Sequence, residues 1–151
     1  MRSYEMKKVK FEDLKHEEQV LVKMAEEARK NAFSPWFKYK VGAAVLSDDG
    51  KFYFGCNVES PTCEATHAEV NAIDAMVADG GRKILIICCA AKNGGIPCAP
   101  CRQKIWNFSG NDPLVKIISV SLSGEIRIFT IGELYPYPFG PKDLGIDPEK
   151  Y

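Results

Sequence analysis

Two short stretches carry residues that could act together as a reactive centre: His67-Ala68-Glu69, and Pro97-Cys98-Ala99-Pro100-Cys101 about thirty residues later. Cys98 and Cys101 stand at i and i+3, so on a first helical turn both sulfurs point to one side. Two thiolates presented that way favour a soft or borderline cation, most often zinc with four ligands around it. His67, one of two histidines in the chain, is the natural third ligand. Three protein ligands leave one position open, which distinguishes catalytic zinc sites from closed structural ones. Glu69 follows the histidine at i+2 and does not share its helix face, so it reads as an auxiliary group rather than a fourth ligand. Zinc lowers the pKa of bound water from roughly 15.7 to about 7, and a carboxyl group beside such a centre can donate and collect protons. If both motifs open helices, the partial positive charge there favours thiolate over thiol at Cys98 and Cys101.

These residues need elements to hold them. Leu21, Met24, Ala25 and Ala28 recur at helical spacing, which predicts an amphipathic helix over residues 17–33, ended by Ser34-Pro35. Residues 41–46 and 52–56 flank Ser47-Asp48-Asp49-Gly50-Lys51 and predict a hairpin. A loop over 58–65 leads to a helix over 66–78, with Thr66 as its cap, Glu69 closing a capping box, and Ala72, Ile73, Met76 and Val77 as its core stripe. The short apolar run 84–91 predicts a central strand covered on both faces. Pro97 precedes a helix over 98–108, and two more strands are expected over 115–122 and 125–129. Five strands with interposed helices give an α/β layered domain with a mixed sheet. Residues 1–12 read as a polar N-terminal extension, and 13–151 as one domain of ordinary size.

Composition excludes several classes. Hydrophobic content of 46% and charged content of 26% are globular values. Twenty basic residues balance twenty acidic ones, which disfavours a duplex nucleic-acid binder, and no basic, aromatic-rich track suits a single strand. Met1 to Glu18 is charged throughout and reads as neither a signal peptide nor a membrane span. The six cysteines are therefore expected in a reducing cytoplasm rather than in disulfides. Cys88 and Cys89 read as core thiols, and His16 as part of a solvated helix start; Cys56 and Cys63 are the nearer candidates for an extra ligand.

The chain resembles the cytidine deaminase family at these motifs, since His-x-Glu followed by Pro-Cys-x-x-Cys is the zinc deaminase signature. Further segments are similar to the family in its order: residues 38–45, Cys56-Asn57-Val58-Glu59, residues 97–103, Glu133-Leu134 and residues 139–144. The resemblance implies a three-layer α-β-α fold and one zinc ion per subunit, held by His67, Cys98 and Cys101. It makes Glu69 the proton shuttle, first base and then acid, in hydrolytic deamination of a pyrimidine nucleoside. It implies that Asn57 and Glu59 bind the ribose, chiefly its 3'-hydroxyl, and that Tyr39 packs near the base. Backbone groups of Ala68 and Ile96 would meet the pyrimidine edge or the departing amine. Phe139 resembles an aromatic that enters a neighbouring subunit's site, which implies a homotetramer with shared sites.

Many tetrameric relatives with a cysteine in place of His67 carry an arginine at the position after the glutamate, offsetting one more negative charge. Two thiolates with a neutral imidazole leave zinc formally uncharged, and Val70 follows Glu69 here. The segment from Asn57 to His67 is one residue shorter than in typical members. Pro61-Thr62-Cys63-Glu64 replaces residues that line the pocket, and an acidic Glu64 would disfavour a 5'-phosphate. The expected activity is deamination of cytidine or 2'-deoxycytidine to the uridine form, in pyrimidine salvage. One rival is the same chemistry on a modified nucleoside or an antibiotic such as blasticidin S, whose positive charge Glu64 could suit. A rival of another class is a binding module with a structural zinc, which would release no ammonia from any nucleoside.

Overall fold

The computed structural model describes residues 7–62 and 64–151. The elements run β1 (Lys7–Val9), α1 (His16–Lys30), β2 (Val41–Ser47), β3 (Phe52–Cys56), α2 (Ala68–Ala78), β4 (Ile84–Ala91), α3 (Ala99–Asn107), β5 (Lys116–Ser121), β6 (Ile126–Thr130) and α4 (Ile131–Leu134). The strands form one mixed sheet in the order β1-β6-β5-β4-β2-β3. Only β4 and β5 pair in parallel, and α3 makes the crossover between them. The sheet therefore has six strands where five were expected. The addition is β1, from the segment read as a polar extension, and it pairs antiparallel with β6. Three residues rich in lysine have no apolar alternation to announce a strand. Their pairing depends on the edge that β6 offers, reinforced by Lys8 on Glu125 at 2.7 Å.

Alternation along the inner strands explains why both faces of the sheet are covered. Ala43 and Val45 of β2, Ile87 and Cys89 of β4 and Ile117 of β5 face α2 and α3, where Ala68, Ala72, Ile73, Met76 and Ile105 complete one core. Their neighbours Ala44, Leu46, Cys88, Ala90, Ile118 and Val120 face α1, where Leu21, Val22 and Ala25 complete the other. Glycines let the helices approach closely. A Cβ on Gly42 would stand 2.0 Å from the Ala25 carbonyl oxygen of α1, and one on Gly55 would stand 2.6 Å from the Ala72 nitrogen of α2. The result is the expected α-β-α layering.

Helix α1 stops at Lys30 rather than Phe33. The backbone of Phe33 is used elsewhere: its N–H donates to the Asn57 carbonyl at 3.1 Å, and its carbonyl accepts from the Glu59 N–H at 2.8 Å. That exchange draws the loop after α1 against the segment after β3, beside the site described next. Helix α2 also starts differently, with His67 at its N-cap in extended conformation and no side-chain cap bond. Thr66 instead pairs through its backbone with Val58. The expected capping box is absent, and Glu69 is released from the role of closing a helix end.

Candidate active site

Helices α2 and α3 lie on the same face of the sheet with their N-termini together. His67 is the N-cap of α2, Cys98 the N-cap of α3, and Cys101 lies in the first turn of α3. His67 Nδ1 is 3.2 Å from each sulfur, and the two sulfurs are 3.5 Å apart. Ligands bonded at about 2.0–2.3 Å around a tetrahedral zinc form triangles of nearly this size. The donor set also fits. Among the described residues this trio is the one group of three or more histidine, cysteine or acidic side chains that could hold a metal. Burial, then the Glu69 carboxylate and Cys98, push the Cys101 thiol far above its ordinary range. A cation among the three supplies the positive charge that a buried thiolate there requires. Neither His16 nor Cys56 joins the group, and Cys63 lies outside the described residues.

Glu69 stands in the first turn of α2, is 6% exposed, and lines a cavity of about 330 Å³ together with His67 and Cys98. Its carboxylate lies near enough to Cys101 and to Cys89, a fully buried thiol on β4, for its charge to act on both thiols. Burial first, and Glu69 second, hold the Cys89 thiol well above its ordinary value, so it stays protonated. Its sequence neighbour Cys88 belongs to the α1 core, as expected, and is likewise held protonated by burial.

The same cavity is lined by Phe37, Tyr39, Val41, Asn57, Glu59, Ala68 and Ile96, with Ala65, Ala91, Gly94 and Gly95 completing its wall. The polar pair is firmly held. Asn57 Oδ1 accepts from the Val41 N–H at 2.8 Å, and Asn57 Nδ2 donates to the Tyr39 carbonyl at 2.8 Å. Glu59 accepts from the Ser34 hydroxyl, from the Trp36 N–H at 2.8 Å, and from the Phe37 N–H at 3.2 and 3.3 Å. Burial raises the Glu59 pKa, but the Ser34 hydroxyl and the two amides outweigh it, so the carboxyl titrates below its ordinary value. The loop that supplies these donors turns through Lys38 at φ +53°, a left-handed conformation rare for a side chain other than glycine.

Seven of the nine candidate functional residues thus line one cavity: Tyr39, Asn57, Glu59, His67, Ala68, Glu69 and Cys98. Cys101 completes the ligand trio from beneath. Phe139 is elsewhere in its own chain, 60% exposed and beside α3, where the Gln103 amide holds its carbonyl at 2.8 Å. Arg102 of α3 ties the Pro97 and Leu134 carbonyls together at 2.8 and 2.9 Å. Glu64 is exposed and outside the cavity wall. Sequence reasoning passed over Ser34, which was read as a helix terminator, and over Phe37. No local pattern marks either one; their relevance follows from the Phe33 backbone pairing.

The model of the cytidine and deoxycytidylate deaminase zinc-binding region matches residues 15–115, which include the whole ligand trio and Glu69. The chain belongs to this family. Among cytidine deaminases, it is 35% identical over 134 residues to the protein of Sporosarcina psychrophila, covering 86% of this chain and 96% of that one. It is 33% identical over 123 residues to the Mycobacterium tuberculosis protein, covering 80% and 87%. The crystal structure of cytidine deaminase from Burkholderia pseudomallei superposes with a TM-score of 0.76 at 30% identity, over 83% of this chain and all of that one. Zinc is the metal of this deaminase family, and the trio at the two helix N-termini suits it. No helix among the described residues is long and apolar enough to cross a membrane.

Proposed function

We propose that this chain is a zinc-dependent aminohydrolase that converts cytidine and 2'-deoxycytidine, with water, to uridine and 2'-deoxyuridine plus ammonia. The observation that carries the reading is a buried carboxylate, Glu69, beside a His67-Cys98-Cys101 trio in a cavity that also holds Asn57 and Glu59. Zinc held by the trio supplies the Lewis acidity that makes water a competent nucleophile near neutral pH. Glu69 takes the proton released by that water, passes it to ring N3, and delivers the next one to the departing amine. The backbone of Ala68, at the free N-terminus of α2, is suited to the polar edge of the pyrimidine, and Tyr39 supplies a ring to pack against the base.

Hydrogen-bonding capacity supports a nucleoside as substrate. Three donors already occupy Glu59, leaving about one of its four acceptor directions. Asn57 Nδ2 spends one N–H on Tyr39 and keeps the other. The pair can therefore receive one sugar hydroxyl, which donates to Glu59 and accepts from Asn57, and a single hydroxyl suits ribose and 2'-deoxyribose alike. The position of Glu64, outside the cavity wall, gives no support to a cationic antibiotic. The balanced charge of the chain accords with a small substrate rather than nucleic acid. The chain acts as one domain, its sheet completed by β1, cytoplasmic, in a homotetramer where Phe139 reaches a neighbour's site.

Loss of nucleoside absorbance, ammonia release and zinc content test this together. Glu69→Gln should keep about one zinc per chain and lose turnover by a factor of about a hundred or more. Cys98→Ala should lose both metal and activity. A Glu69→Gln enzyme as active as wild type would refute the shuttle. A wild-type protein that holds zinc yet releases no ammonia from either nucleoside would refute the function.

A further inference from the structure

We propose that Ser34 is a positioning residue for sugar recognition, its hydroxyl orienting the Glu59 carboxylate toward a single sugar hydroxyl. This rests on the reading of Glu59 as the sugar anchor. Ser34 and Glu59 are both buried, at 8% and 6% exposure. Ser34 Oγ accepts from the Tyr39 N–H at 3.0 Å and donates to Glu59 Oε1. A hydroxyl carries one proton. With the Tyr39 amide directed at its lone pairs, that proton is committed to the carboxylate. The order Tyr39 N–H, Ser34 O–H, Glu59 is a polarised chain in which each bond strengthens the next.

The other donors to Glu59, the Trp36 and Phe37 amides, come from one turn, and Phe37 N–H is shared between both carboxylate oxygens. Ser34 contacts Oε1 alone. The Trp36 N–H contacts Oε2 alone, so these two contacts together distinguish the oxygens, and Ser34 is the side-chain member of the pair that sets the rotation of the carboxylate about its terminal bond. The same hydroxyl joins the anchor to the backbone of Tyr39, whose ring lines the cavity. Loss of the hydroxyl should therefore weaken recognition of the sugar more than the chemical step.

The test is steady-state kinetics of the zinc-loaded enzyme on cytidine, 2'-deoxycytidine and 2',3'-dideoxycytidine. Wild type, Ser34→Ala and the near-isosteric Ser34→Cys, whose thiol is a weak donor, are compared. The quantity read is the preference for 2'-deoxycytidine over its 3'-deoxy analogue, as a ratio of kcat/KM values. The expected result is a five- to tenfold fall in that ratio in both variants, carried mainly by KM. Should Ser34→Ala be too unstable to assay, Ser34→Cys carries the same comparison. A ratio equal to wild type, with all substrates slowed together, would overturn the proposal and leave Ser34 a loop residue. A wild-type enzyme that ignores the 3'-hydroxyl would refute the Glu59 assignment itself, and this inference with it.

Discussion

Glu18 is the acidic residue most deeply committed to the fold outside the site, and Glu18→Gln isolates its charge. Glu18 lies in the first turn of α1, is 3% exposed, accepts from the Lys15 N–H at 2.9 Å, and pairs with Lys116 of β5. Glutamine keeps the size and can still accept from Lys15, so the loss is confined to the Lys116 contact. A hydrogen bond between charged groups is worth about 1.5–3 kcal/mol. Lys116 keeps 34% of its side chain in water and can turn outward once released, which places the expected loss at about 1–2 kcal/mol. In a chain of this length that corresponds to a melting temperature lower by roughly 2–8 °C.

The effect has a definite pH signature. Burial raises the pKa of Glu18, but Lys116 and the Lys15 amide outweigh it, so the folded value lies below the ordinary glutamate value. A depressed carboxylate contributes stability that is fully present above the unfolded pKa and is lost as pH falls through the folded one. Thermal melts of both proteins from neutral pH to about pH 3 should therefore show a gap that closes only on the acid side. No gap at neutral pH, or one that persists unchanged into acid, would refute the account of this pair.

Gly42→Ala would place a methyl group 2.0 Å from the Ala25 carbonyl and 2.4 Å from the Arg29 nitrogen, both backbone atoms of α1. It should cost about 3 kcal/mol or more; a melting temperature equal to wild type would show that α1 does not pack directly on β2. Phe139→Ala removes a ring that is 60% exposed in its own chain. It should leave the melting temperature nearly unchanged while lowering turnover several-fold if the ring serves a neighbouring site. Unaffected kinetics would remove it from catalysis.

Much of the site was legible because its signals are local. Cys98 and Cys101 need only a helix start to face the same way, and α3 begins at Ala99 with Cys98 as its N-cap. The strands β2 and β4 show in their apolar runs, and the alternation of Ala43 and Val45 with Ala44 and Leu46 assigns each residue to a core. What could be read from the sequence alone was therefore the reagents and the elements that carry them.

Tertiary structure decided the rest wherever a residue had two competing partners. Thr66 and Glu69 have the spacing of a capping box, but backbone pairing with Val58 takes Thr66, so His67 is the N-cap of α2 and Glu69 lines the cavity beside the trio. Phe33 continues a helical pattern, yet its N–H and carbonyl go to Asn57 and Glu59, which ends α1 early and draws Ser34 to the anchor. Lys7–Val9 forms a strand only because β6 has an edge to pair with. Each outcome depends on a backbone group finding a partner distant in sequence. Local propensity does not encode such choices, because the unpaired alternative costs nothing until the fold has removed water from it.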